Sequence, residues 1–325
     1  MKQLGILFAA CITLLGSASP GGHGAVAAPF QEERPFSLAV LRRDGQVIPF
    51  AVFDGRWKTP WPQRLPLELP ISLTDVPKRW WGVDEPFERM DLWRDGQRVG
   101  EVTITGLTVS RPMCQPRVVL KSDHKPTAPV PPQLERPHPK DGLLVGGGVP
   151  VGRIEPVAPG TPDWNATLVA MTNEFNRVET TAAGRFSSWR HPVKTDDRRL
   201  TPITIESLYR APAETPQLTT LFVEAVRQYP AGKQDKDGCG PLTYVYGWVT
   251  LGPNGQSWVR LSAQIAYCDR FGVRYMFPFG TVKAKNRLYW VFQFAGAESE
   301  GYEVMRPLPG RLESHVSFAA GSCGY

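Results

Sequence analysis

A hydrolase needs a nucleophile beside its base, or two carboxylates placed to exchange a proton. The chain holds fragments of both. Ser187, Ser188, His191, Asp196 and Asp197 fall within one polar stretch. No G-x-S-x-G elbow surrounds either serine, and triads are assembled in space from distant segments, so the stretch reads as a solvated loop. Asp84-Glu85 and the Glu298-Glu300 pair are acids of the kind a proton-transfer mechanism uses, but both sit among glycine and proline and read as surface turns. The run from Lys233 through Asp235 and Asp237 to Gly238 opens like a calcium loop but lacks the third acid and the distant glutamate. No C-x-x-C or H-x-x-x-H spacing occurs. No metal site and no cofactor are therefore expected, and no residue earns a catalytic assignment.

The aromatic residues form a clearer pattern. Trp57, Trp61, Trp80, Trp81 and Trp93 are half of the ten tryptophans, interleaved with Arg56, Lys58, Arg64, Lys78, Arg79 and Arg94. Flat indoles beside hydrogen-bonding side chains suit a sugar ring or a protein partner. Filling the core of a small β domain would use the same rings. These five are the candidate ligand-binding residues, and their exposure decides between the two uses. Tyr244, Tyr246 and Trp248 recur at period two on a strand, which suggests burial between sheets. The charge of +6, from 37 basic and 31 acidic residues, is spread over 325 positions and leaves no nucleic-acid footprint.

Lys2, the apolar run Leu4 to Leu15 and the small residues Ala25-Val26-Ala27 have the layout of a secretory signal, with cleavage expected after Ala27. That run is too short to span a bilayer, and no later stretch is apolar enough, so no transmembrane segment is expected after signal removal. Export to a periplasm or beyond the cell makes disulfides available to Cys114, Cys239, Cys268 and Cys323. Two strand-like runs flank Gly252-Pro253-Asn254-Gly255. A two-residue turn between Pro253 and Asn254 puts Cys239 opposite Cys268, and a bulge at Gly255 slips that register by one. In either register the expected pairs are Cys239 with Cys268 and Cys114 with Cys323.

The remaining elements are mostly strands. Arg-Asp-Gly-Gln occurs twice, around Asp44-Gly45 and Asp95-Gly96, each time between apolar runs, and marks two hairpins. Residues 28–121 read as a small β domain that follows the signal, residues 1–27. Residues 122–163 read as a Pro/Gly-rich connector whose later half is apolar enough to lie along a domain as an arm. Residues 164–325 read as a larger β-rich domain, with a short helix from Trp164 to Asn176 capped by Asp163 and carrying Leu168, Met171 and Phe175 on one face. Leu218 to Gln228 suits either strand or helix. The expected fold is mainly β, antiparallel sheets in a sandwich- or barrel-like arrangement with one or two short helices. The expected function is that of an exported, non-catalytic ligand-binding or interaction protein with a glycan or protein partner; an exported hydrolase and a purely structural envelope protein are the alternatives.

Overall fold

The computed structural model describes residues 34–325 apart from 71, 112–113, 126–139, 186–190, 192, 231–239, 271, 297–298 and 323–325. Strands make up 53% of the described residues and helices 16%, so the fold is mainly β, and every strand pairing among them is antiparallel. The Pro-rich stretch from Pro126 to Pro139 lies outside the described residues.

The first sheet closes on itself. It runs β1 (Phe36–Arg42), β7 (Lys140–Gly146), β4 (Arg89–Arg94), β5 (Gln97–Ser110), β6 (Arg117–Ser122) and β2 (Gln46–Phe53), and β2 pairs back onto β1 to give a six-stranded barrel, with β3 (Trp57–Lys58) appended to β2. A barrel this narrow fills its interior with side chains. β1 is apolar along most of its length because it is buried on both faces, whereas β5 alternates and buries only Val102 and Ile104. The repeated Arg-Asp-Gly-Gln makes two different turns. At Asp44-Gly45 only the glycine has a positive φ, 77°, and its N–H donates to the Arg42 carbonyl at 3.0 Å. At Asp95-Gly96 both residues are positive, 49° and 73°, and Arg94 pairs directly with Gln97, a two-residue turn.

The second sheet is the middle of the molecule: β8 (Val151–Gly152), β14 (Tyr275–Ala284), β15 (Arg287–Ala295), β16 (Ser299–Leu308) and β17 (Arg311–Ser322). Its two faces alternate. Tyr289 and Val291 join the barrel core, while Trp290 and Phe292 join the core shared with the third sheet. That third sheet comprises β9 (Glu155–Pro156), β10 (Thr204–Pro212), β11 (Thr219–Gln228), β12 (Pro241–Leu251) and β13 (Ser257–Tyr267). On β11, Phe222 faces the middle sheet and Leu221 and Val223 face a helix, giving four layers: barrel, sheet, sheet, helix. Glu224 fastens the two inner sheets by accepting the Met276 N–H at 2.7 Å.

Three α-helices occur among the described residues: α1 (Lys78–Trp81), α2 (Pro162–Gly184) and α3 (Thr195–Leu200). α2 is 23 residues long, not a short helix ending at Asn176: Val178 continues its apolar face onto the third sheet, and Ala182 beyond it is buried. Its cap is Thr161, whose hydroxyl accepts the Trp164 N–H at 3.4 Å, rather than Asp163. The threonines that weaken its intrinsic propensity are accommodated: Thr172 and Thr180 donate to the carbonyls four residues back, at 2.7 and 2.8 Å. Leu218 to Gln228 falls almost wholly in a strand, β11.

The β12–β13 hairpin takes the bulged register, with Leu251 opposite Ser257 and Pro241 opposite Tyr267, and positive φ at Asn254 (58°) and Gly255 (75°). Cys114 and Cys268 are each disulfide-bonded. Cys239 and Cys323 lie outside the described residues, and the expected pairing lies there with them.

Candidate functional site

The structure separates the five candidate tryptophans. Trp57 packs edge-on against Phe36, Phe53 and Tyr289, at centroid distances of 5.5, 5.2 and 5.3 Å, where the barrel meets the middle sheet. Trp61 is buried and donates its indole N–H to the Val118 carbonyl at 3.0 Å. Trp80 and Trp81 sit on the single turn of α1, where neighbours are rotated by about 100° rather than placed on opposite sides as on a strand. Both rings therefore reach Trp61, at 5.7 and 5.5 Å. These three rings line an apolar slot of about 20 Å³, which has no room for a sugar ring.

Trp93 is also partly buried against the barrel core but has a second neighbour. It borders a cleft of about 290 Å³ between the barrel rim and the middle sheet. The β4–β5 turn supplies Trp93, Arg94 and Asp95, the start of β7 supplies Lys140 and Asp141, and the middle sheet supplies Phe277, Phe279 and Gln293. Close approach at one glycine sets this wall: a Cβ on Gly142, whose φ is 148°, would lie 2.6 Å from the Trp93 carbonyl. Gln293 is 1% exposed and its amide nitrogen has no hydrogen-bond partner, nor has the indole nitrogen of Trp93. A buried donor left unpaired costs about 1–3 kcal/mol.

The charged residues of the cleft are held by one another. Arg94 donates to the Asp141 carbonyl, and the Asp141 carboxylate meets His124 Nε2 at 2.7 Å and Arg43 at 3.7 Å. Lys140 donates to Glu300 at 2.8 Å, both nearly out of water. Burial lowers the Lys140 ammonium to about 8, against the pull of Glu300. Burial pushes Glu300 the other way, but the Lys140 charge and the hydrogen bonds from Lys140 and Tyr302 outweigh it, and its carboxyl lies below the ordinary range. Glu300 was expected on a surface turn. Instead it shares the inward face of β16 with Tyr302 and Val304.

Fragments of catalytic chemistry do not come together among the described residues. Ser187, Ser188, Glu298 and the Lys233 to Gly238 run lie outside them. His191 accepts the Val193 N–H at Nδ1, at 3.1 Å, and packs edge-on to Tyr229; burial, then the Arg198 charge, lowers its pKa and keeps it neutral at pH 7. Asp196 and Asp197 are exposed in the first turn of α3. His315 Nε2 lies 3.6 Å from Glu313 on a strand surface, and Asp84 borders a separate hollow beside Lys58 and Lys78. No three His, Cys, Asp or Glu side chains gather as a metal site among the described residues.

One carboxyl outside the cleft titrates near neutrality. Glu303 lies opposite Phe292 and Ser317, and burial pushes it up to about 7 from 4.5. The folded state thus holds this proton over a range where the unfolded chain has released it, so its contribution to stability is full below about pH 4.5 and lost as pH rises to about 7. Glu303→Gln is expected to flatten that part of the stability curve and to gain about 1–3 kcal/mol at pH 8, scaled from 1.36 kcal/mol per unit and reduced for partial exposure. Urea denaturation of both proteins between pH 4 and 8 checks this; parallel curves would contradict it.

Sequence reasoning missed Gln293, Phe277, Phe279 and Lys140 as site residues. A signal for the first was present, because Gln293 is the lone amide in the apolar run from Leu288 to Phe294. Compared with known proteins, the chain matches no family model, no curated protein and no solved structure.

Proposed function

We propose that this is an exported, non-catalytic binding protein that takes a glycan, or a partner presenting a comparable polar ring, in the cleft at Trp93. The carrying observation is the conjunction of aromatic side chains, Trp93, Phe277 and Phe279, with the unpaired amide of Gln293 in one cleft of about 290 Å³. Saccharide recognition combines an apolar platform with a few fixed polar groups, and pockets of roughly this size hold small ligands. The signal-like segment ending at Ala27 supports a site outside the cytoplasm.

Tryptophan fluorescence during titration with a panel of oligosaccharides tests the reading. One glycan class should shift the emission saturably, and Trp93→Ala should weaken its binding about tenfold or more, the scale of an aromatic hot spot. Trp61→Phe should leave the affinity unchanged, since that ring faces the slot instead. No saturable response to any glycan, together with an unaltered profile in Trp93→Ala, would count against it. In that case the packing of Trp57, Trp61, Trp80 and Trp81 on the core favours the second reading, a structural envelope protein.

A further inference from the structure

We propose that β13 is an interface strand through which two copies of this chain associate, pairing antiparallel about a two-fold axis at Ser262. This does not rest on the reading of the Trp93 cleft. A strand at the end of a sheet offers a row of backbone donors and acceptors to any other strand, and folds block such edges by keeping them short, bulging them or charging them. The other terminal strands among the described residues are blocked. β3, β8 and β9 are two residues each, and β14 and β10, beside β8 and β9, are bulged next to Pro278 and Ile205. β17 breaks register with β16 twice, at Glu300–Gly301 and at Val304–Met305, and its Ala319 N–H donates to Gln63 at 3.3 Å.

β13 has no such device. Its register with β12 is unbroken through eleven residues, and it holds no proline, no lysine and one charge, Arg260. One side of the strand faces α2, where Val259, Leu261 and Ala263 join the core beneath that helix. The other side carries Arg260, Ser262 and Gln264, all exposed. The N–H and C=O groups directed away from β12 meet no further strand among the described residues.

The residue order of β13 suits a second copy. A two-fold axis normal to the sheet pairs only residues that point to the same side, so it passes beside one residue, and the middle one, Ser262, gives the longest ladder. Across that axis Val259 meets Ile265, Leu261 meets Ala263, Trp258 meets Ala266 and Arg260 meets Gln264. Apolar residues thus face apolar ones, and the two arginines are kept apart. Moving the axis to Arg260 would set like charges directly opposite, which disfavours that register. The product is one continuous sheet with five strands from each copy.

Sedimentation equilibrium of the purified protein tests this, joined to cross-linking through an introduced cysteine. The wild type should pass from one chain to two across roughly 1–100 μM, the range of a reversible association. Ser262→Lys, at an exposed position, sets two ammonium groups against each other on the axis and should weaken dimerisation about tenfold or more. Ser262→Cys brings two thiols face to face and should give a disulfide-linked dimer on mild oxidation, whereas Arg64→Cys, also exposed, should not. A wild type that stays monomeric throughout would overturn the proposal. So would a dimer unaffected by Ser262→Lys, or equal cross-linking of the two cysteine variants, because association would then lie elsewhere. Should Ser262→Lys fail to fold, the cysteine comparison decides.

Discussion

Trp290→Ala is expected to destabilise the protein by about 3–5 kcal/mol, the usual cost of emptying a buried aromatic site. The midpoint should fall by roughly 10 °C for a chain of this size. Trp290 is 0% exposed in the layer between the second and third sheets, with its ring edge-on to Trp248 at 4.9 Å and 85°. Strands on both sides limit how far the cavity can collapse, which keeps the cost high in that range. Trp290→Phe should cost much less. It retains most of the packing and removes an indole nitrogen that has no hydrogen-bond partner. Thermal and urea denaturation of the two variants measures the contrast, and equal losses would show that the layer does not depend on bulk at this position.

The second large effect is expected at the seam between α2 and the third sheet. Glu179 accepts Arg227 at 2.7 Å and the Tyr229 hydroxyl, with Arg198 at 3.7 Å; both arginines are almost wholly buried. Glu179→Gln leaves two buried cations without their carboxylate, a loss of about 3–5 kcal/mol. Tyr229→Phe removes one hydrogen bond and keeps the charge balance, so about 1–2 kcal/mol is expected. The Arg227 guanidinium also lies 4.9 Å from the centre of the Phe175 ring, so part of its anchorage would survive. Hydrogen exchange along α2 is the sharper readout: protection should fall in Glu179→Gln throughout the helix, and uniform protection would contradict the assignment.

Local chemistry made some of this legible in the sequence. The hairpins at Asp44-Gly45, Asp95-Gly96 and Gly252 to Gly255 were readable because each turn is specified by the residues within it. The bulged register at Gly255 follows from a proline that favours one turn form. What depends on distant partners was not readable. The full length of α2 came from packing on the third sheet, against its content of threonine and asparagine. Whether a tryptophan fills a core or borders a cleft depends on which sheet lies over it: Trp57 meets Tyr289 from far along the chain, while Trp93, partly buried on the same core, also borders the cleft. Glu300 looked like a turn acid because nothing near it in sequence announces Lys140.

The short stretch from Lys140 to Pro156 contributes one strand to each of the three sheets: β7 between β1 and β4, β8 beside β14, and β9 beside β10. This routing governs the order in which the chain can assemble. A nascent chain emerging from its N-terminus makes the β1–β2 and β4–β5 hairpins early, yet the barrel stays open until residue 146 has appeared. β8 then waits for Val282, after most of the C-terminal half has been made. Contacts separated so widely along the chain make folding slow, and they leave a growing polypeptide without a finished core. A chain built this way completes its three joined sheets only when nearly all of it has been made.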